Sequence, residues 1–297
     1  MLLDCGKSLY FRLSGGFSIP IALLAAAALI LSGCGGKKHI PVTAKLKGQE
    51  GHLENVDDGS GTEEATAKVP VVVSFDADNL GSIKGRVVLS GTPEPNLEIG
   101  MGGDCSNHPS HAGKAPSSDR VLVGEGGGLK NSVVFLYKPP KGAPAKTGKI
   151  MIDQVGCMYT PHVVALQTGQ PLAVTSSDGT SHNVNGRPVK SAGFNFVQGK
   201  GDVKEMSFAK NETFSIKCDI HSWMQAWIAV FDHPYFAITD QDGNFEITGI
   251  PAGEYEVRAW HEYYGNAFVK TKVLKQKGVK VEAKTATELT FTFKSKK

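Results

Sequence analysis

Short runs of alternating apolar and polar residues recur along most of the chain, separated by Gly, Pro, Asn and Asp. Val, Ile, Phe and Thr dominate these runs, and long stretches with helical spacing of apolar residues are absent. Alternation with a period of two is typical of a strand with one buried face, and the separating residues are those found in turns. The pattern predicts an all-β chain of roughly twelve to fifteen short strands.

The predicted strands fall into three groups. The first contains 83–89 and 132–137, with a stretch rich in Gly, Ser and His between them. The second runs from 149 to 231, and the third from 235 to 293. Residues 34–70 show no hydrophobic periodicity and are rich in Gly, Lys, Glu, Asp and Thr, so we expect a flexible tether there.

The N-terminus has a different pattern. Lys7 and Arg12 precede an apolar run, 19–31, that is too short to span a bilayer comfortably and has the layout of a secretory signal. The run ends in L-S-G-C, which resembles the lipobox of bacterial lipoproteins. The resemblance implies that 1–33 is a signal peptide and that Cys34 is acylated, which would anchor the protein to a membrane of the bacterial envelope, periplasmic or surface-facing. An uncleaved anchor helix is the alternative.

Composition and net charge limit the classes of protein to which this chain can belong. Apolar residues make up 40% of the chain and charged residues 21%, which is enough to form a core. The 32 basic and 29 acidic residues leave a net charge of +3, and the basic residues are scattered along the chain. We therefore expect no nucleic-acid partner.

Two turn motifs mark the third group of strands. T-D-Q-D-G-N-F begins at Thr239 and G-I-P-A-G-E-Y at Gly249, and an earlier G-S-I-K-G-R-V begins at Gly81. Together they resemble the carboxypeptidase regulatory-like (prealbumin-like) β-sandwich. The resemblance implies one small sandwich split between 80–140 and 234–297, with another domain inserted in it or packed beside it. The alternative is two consecutive domains, in which case the G-S-I-K-G-R-V sequence is a coincidence.

The loop C-D-I-H-S-W-M, from Cys218 to Met224, carries a thiol, an imidazole and a thioether between two apolar runs. Soft sulfur combined with imidazole favours copper, and a blue-copper site uses two histidines, one cysteine and a weak methionine. His182, in an H-N-V sequence after an apolar run, is the candidate for the second histidine.

These motifs make the region 148–233 resemble a cupredoxin, with the ligand spacing of short-loop, amicyanin-like members. The resemblance implies a Greek-key β-sandwich that holds one type 1 copper ion. It also implies that Asn183, after the first histidine, pins the ligand loop by hydrogen bonding. The sequence departs from the family at Asp219 and Ile220, where Thr or Ser followed by Pro is common. The implied copper ligands are His182, Cys218, His221 and Met224.

The cysteine count leaves several pairings open. Cys5 lies in the predicted signal peptide and Cys34 would carry the lipid, so three of the five cysteines remain. With an odd number in an oxidising compartment, at least one cysteine has no partner for an intramolecular disulfide. A disulfide between Cys105 and Cys157 would free Cys218 for copper. The alternatives are a metal-free scaffold in which Cys218 is a small buried apolar residue or is bonded to Cys157, zinc at the copper residues, and a second metal site at Cys105, His108 and His111.

The resemblance implies a one-electron carrier whose partner is another redox protein. No nucleophile pair, catalytic base or open coordination position is evident, so we expect no enzymatic activity. The alternatives are a copper storage or delivery protein and a binding or structural module without redox activity; fold resemblance alone does not separate them.

Overall fold

The structure, a computed structural model, describes residues 75–265 and 273–296. The predicted signal peptide, Cys34 and the predicted tether 34–70 lie outside these residues. In the described part of the chain, no helix has both the length and the apolar character needed to cross a membrane.

Strands dominate the described residues, and helix is limited to α1 (Gly103–Ser106) and three short 3₁₀ turns. The all-β fold class predicted from the alternating pattern is confirmed. The strands are β1 (Leu80–Ser90), β2 (Val133–Tyr137), β3 (Ile150–Val155), β4 (Met158–Thr160), β5 (Val163–Gln167), β6 (Leu172–Ser176), β7 (His182–Gly186), β8 (Phe194–Gln198), β9 (Val203–Met206), β10 (Glu212–Lys217), β11 (Gln225–Phe231), β12 (Phe236–Ile238), β13 (Asn244–Pro251), β14 (Gly253–Trp260), β15 (Leu274–Val281) and β16 (Ala286–Lys294).

These strands form four sheets. Sheet I has the order β13-β1-β16 and sheet II the order β12-β2-β14-β15. Sheet III has the order β5-β11-β10-β7-β8 and sheet IV the order β4-β3-β6-β9. The chain therefore leaves sheets I and II after β2, builds all of sheets III and IV, and returns to sheet II at β12.

Three apolar cores lie between the sheets, in the order I, II, III, IV. The first core joins strands of sheets I and II, including Ile83 and Val257. The second joins sheets II and III through Val133, Trp227 and Trp260. The third joins sheets III and IV and contains residues of β3 to β7, β10 and β11.

Strand β11 packs against a neighbouring sheet on each of its two faces. Its sequence Q-A-W-I-A-V-F is apolar at every position after the first, and all six apolar residues are buried. Trp227, Ala229 and Phe231 face sheet II, whereas the intervening residues belong to the core shared with sheet IV. A strand that is buried on both faces has a continuous run of apolar residues in its sequence, whereas a strand with one buried face alternates apolar and polar residues.

Candidate metal centre

Neighbouring strand ends bring His182 and Cys218 together. His182 is the first residue of β7, and Cys218 directly follows the last residue of β10. β7 and β10 pair in antiparallel fashion, so that the start of one strand lies beside the end of the other. This pairing places two residues that are far apart in sequence at the same edge of sheet III.

The loop between β10 and β11 folds back on itself and carries the other candidate ligands. The backbone N–H of Cys218 donates to the carbonyl of Met224 at 3.1 Å, and the N–H of Met224 donates to the carbonyl of His221 at 2.9 Å. The N–H of His221 also donates to the sulfur of Cys218 at 3.4 Å. These bonds hold the thiol and the loop imidazole on one side of the turn.

Three ligand atoms converge at this edge. The Nδ1 atoms of His182 and His221 lie 2.9 Å apart, and the Sγ of Cys218 is 3.8 Å from Nδ1 of His221. All three candidate ligand atoms lie within 4.8 Å of one another. Cys218 is a free, buried thiol. Met224 is fully buried in the same apolar core as Cys218.

Asp178, which the sequence analysis did not single out, binds the ring nitrogen of His182 that points away from His221. Its carboxylate is buried and accepts a hydrogen bond from Nε2 of His182 at 2.8 Å. Because Nε2 is bonded to Asp178, Nδ1 is the ring nitrogen that faces His221, and a metal ion that binds there displaces any proton on it. The same carboxylate accepts the backbone N–H groups of Gly156 at 2.6 Å and Cys157 at 2.8 Å.

Asn183 ties the ligand loop to β7. Its Oδ1 accepts the backbone N–H of Asp219 at 2.5 Å, and its Nδ2 donates to the Asp219 carboxylate at 2.9 Å. Hydrogen bonds from Asn185 and Asn183 lower the pKa of Asp219. The hydroxyl of Tyr159 donates to the carbonyl of Asn183 at 2.7 Å. Asp219 therefore gives the loop a second attachment to β7.

The ionisation of the site favours a thiolate. Burial opposes ionisation of Cys218, but hydrogen bonds from His182 and from the backbone N–H groups of the site outweigh it, and the pKa of Cys218 is lowered. Burial also opposes a positive charge on His182, yet Cys218 and Asp178 raise the pKa of that imidazole. Burial and the neighbouring His182 lower the pKa of His221. A thiolate is the form of cysteine that binds metal ions.

Cys105 and Cys157 form a disulfide next to the site. This bond excludes the alternative in which Cys218 pairs with Cys157. The Sγ of Cys105 lies 3.6 Å from Nε2 of His221, and Nε1 of Trp223 donates to the carbonyl of Cys157 at 3.0 Å. The disulfide therefore borders the loop imidazole directly.

The alternative of a second metal site at Cys105, His108 and His111 is wrong, because each residue has another partner. Cys105 is in the disulfide, and Nε2 of His111 donates to the carbonyl of Gly156 at 2.8 Å. Nδ1 of His108 lies 2.8 Å from the hydroxyl of Ser110. The clusters of ligand atoms in the described residues do not include this set.

The donor set suits a soft or borderline metal ion. One thiol of lowered pKa and two imidazole nitrogens lie within 4.8 Å of one another, and the mixture of sulfur and nitrogen is the kind that copper and zinc prefer. The hydrogen bond with Asp178 orients the ring of His182 before any metal arrives. The residues present therefore fit a copper ion at His182, Cys218 and His221.

Comparisons with known proteins found structural neighbours. No protein-family model matches the sequence, and no curated protein matches it. A copper-containing nitrite reductase from Thermus scotoductus is 18% identical with a TM-score of 0.28, covering 32% of this chain and 25% of that one. The present chain thus spans about a quarter of the nitrite reductase.

Two smaller proteins also match. A purple cupredoxin from Nitrosopumilus maritimus is 22% identical with a TM-score of 0.24, covering 27% of this chain and 98% of that one. An oxidised amicyanin variant is 19% identical with a TM-score of 0.27, covering 28% of this chain and 82% of that one.

Proposed function

We propose that this protein binds one copper ion and carries single electrons. The observation that supports the proposal is the convergence of two Nδ1 atoms on a free, buried thiol of lowered pKa. Met224 is the proposed weak fourth ligand, since it is buried on the same loop and a thioether suits copper. The site would be of the type 1 class. The proposed ligands are His182, Cys218, His221 and Met224.

Copper in this donor set supplies a Cu(II)/Cu(I) couple that exchanges one electron. The residues of the chain keep the donors in one arrangement. Asp178 fixes the ring of His182 through Nε2, and Asn183 binds the loop that carries Cys218 and His221. Restricting the movement of the donors lowers the reorganisation that accompanies a change of charge. Rigid donors therefore favour rapid electron exchange.

We infer a carrier rather than an enzyme from the burial of the donors. His182 is fully buried and Cys218 is 3% exposed, so a substrate would have no direct access to either side chain. Electrons can pass through covalent and hydrogen-bonded contacts without such access. His221, which is partly exposed, provides the shortest path to the surface.

The proposed setting is the bacterial cell envelope, with a lipid on Cys34 and another redox protein as partner. The L-S-G-C sequence supports the anchor, and residues 34–70 would let the folded part stand away from the membrane. The scattered basic residues give no support for binding to nucleic acid.

Cyclic voltammetry of the copper-loaded full chain tests the proposal. We expect one reversible one-electron wave whose integrated charge corresponds to one copper per chain. The variant Cys218→Ala, which removes the thiolate, should lose the wave. Lys210→Ala, which changes an exposed residue away from the site, is the matched control and should keep it. Tight copper binding without a reversible wave would contradict a carrier role and favour storage or delivery.

A further inference from the structure

A cleft, called the inter-sheet cleft below, lies at one end of the second core, between sheets II and III. At this end Phe135 of β2 packs on Phe231 of β11, with ring centroids 4.9 Å apart. Tyr137, the last residue of β2, lies beyond this contact and is 36% exposed. The cleft has a volume of about 840 Å³, and small-molecule sites have volumes of about 300–1,000 Å³. The two sheets therefore leave room for a small ligand beside their shared core.

Flat apolar side chains form much of the inter-sheet cleft. Val134 and Leu136 belong to the first core, so the alternation along β2 turns Phe135 and Tyr137 toward the opposite face of sheet II, where the cleft lies. Three proline rings also line the cleft: Pro139, Pro140 and Pro234. Such a lining favours a ligand with a flat, apolar body.

Most of the charged side chains in the lining are cationic. Lys138, Lys141 and Arg258 line the inter-sheet cleft together with a single carboxylate, that of Asp232. Burial lowers the pKa of His233, which also lines the cleft, so this imidazole is neutral near pH 7. The cleft therefore has an excess of positive charge and favours an anion.

Arg258 presents hydrogen-bond donors that the protein leaves unused. Its guanidinium carbon lies 3.2 Å from the ring centroid of Tyr137, and its Nε donates to the Glu256 carboxylate at 2.6 Å. These two contacts hold the guanidinium in place, and the side chain is 19% exposed. Among the described residues, the two terminal nitrogens of the guanidinium have no hydrogen-bond acceptor. A fixed guanidinium with free N–H groups matches the planar geometry of a carboxylate.

We propose that the inter-sheet cleft binds a small organic anion that has one carboxylate on a flat, apolar body. The carboxylate binds Arg258, and the body contacts Tyr137 and the proline rings. Asp232 repels additional negative charge, so a carboxylate is preferred to a phosphate monoester, which carries up to about two negative charges near pH 7. The proposal goes beyond the proposed electron-carrier function, since none of the proposed copper ligands is among the described residues that line the cleft.

Isothermal titration calorimetry of the metal-free full chain with 2-naphthoate tests the proposal. We expect saturable binding of one 2-naphthoate per chain. Its amide, 2-naphthamide, has the same shape without the charge and should bind at least about tenfold more weakly, because charge-assisted hydrogen bonds are lost. 2-Naphthyl phosphate should also bind more weakly than 2-naphthoate. Tighter binding of the phosphate would overturn the assignment of a carboxylate ligand.

Arg258→Gln tests the location of the site. It should weaken 2-naphthoate binding at least about tenfold and leave 2-naphthamide binding unchanged, and the second result also shows that the cleft still folds. Arg120→Gln is the matched control, because it removes another guanidinium that lies over a tyrosine ring, that of Tyr263, outside the cleft. This control should bind 2-naphthoate normally.

Three results would overturn the proposal. They are an absence of saturable 2-naphthoate binding, equal affinities for 2-naphthoate and 2-naphthamide, and equal 2-naphthoate affinities in Arg258→Gln and Arg120→Gln. All the measurements use metal-free protein, so loss of the proposed copper site does not affect them.

Discussion

At the scale of single residues, the sequence indicated the candidate ligands and Asn183, but not Asp178. Cys218, His221 and Met224 share one short loop and H-N-V marks His182, and the resemblance to cupredoxins turned these motifs into a predicted ligand set. Asp178 had no comparable signal, since one aspartate four residues before a histidine on a polar turn is common. Its role depends on burial and on the approach of Gly156 and Cys157 from another sheet.

Asp178→Asn should weaken copper binding about 10- to 100-fold, because the ring of His182 loses a charged acceptor that fixes its tautomer. Competition with a chelator of known affinity measures the change. Asp232→Asn, which alters an exposed carboxylate just beyond the end of β11 that is remote from Met224, is the matched control and should bind copper normally. Equal affinities for the two variants would show that Asp178 does not support the ligand.

At the scale of elements, the sequence predicted the strands and the tight turns better than it predicted which strands pair with each other. Asp240 accepts the N–H of Asp242 at 2.9 Å and that of Asn244 at 2.8 Å, which builds a turn at the predicted D-G sequence. Local hydrogen bonds of this kind follow from residue type. The pairing of β7 with β10, which assembles the metal centre, joins distant segments, and alternation alone does not specify such a pairing.

Gly243 provides a test of this turn. Its φ is +77°, and an added Cβ would lie 2.3 Å from the carbonyl oxygen of Val87. Gly243→Ala should therefore lower the free energy of unfolding by about 1–3 kcal/mol more than Gly249→Ala does. Gly249 is the matched control because its φ is +69° and its added Cβ meets nothing within 4 Å. Urea denaturation measures both, and equal losses would show that the close approach to Val87 is unimportant.

At the scale of the whole molecule, a polar network joins sheets II and III beside the apolar core between them. His162, which precedes β5, binds the Glu262 carboxylate through Nε2 and lies 3.1 Å from Asp119 through Nδ1. Glu262 also accepts Nε1 of Trp227 at 2.7 Å. The sequence did not predict this network, because its members lie far apart along the chain and alternation does not specify which distant segments meet.

The network makes stability depend on pH. Burial opposes a charge on His162, but hydrogen bonds with Asp119 and Glu262 outweigh it and raise its pKa to about 10. A raised pKa means that the stabilisation is complete below the ordinary histidine value of about 6.5 and disappears as the pH rises through about 10. We therefore expect the free energy of unfolding to fall over that range.

Glu262→Gln, which removes one carboxylate and keeps the shape of the side chain, should flatten this fall. Urea denaturation at several pH values between about 6 and 10 measures the slope for both proteins. Glu254→Gln, an exposed residue on β14, is the control and should keep the original slope. If all three proteins lose stability in parallel, His162 is not the group responsible.

A Cu(II) titration of the metal-free full chain, followed by visible absorption, tests the proposed copper site most directly. We expect an intense charge-transfer band from the Cys218 thiolate that saturates at one copper per chain, with a small copper hyperfine splitting in the EPR spectrum at the end point. Cys218→Ala should abolish the band. Stoichiometric copper binding without colour, or an unchanged band in Cys218→Ala, would contradict the convergence of His182, Cys218 and His221 on one ion.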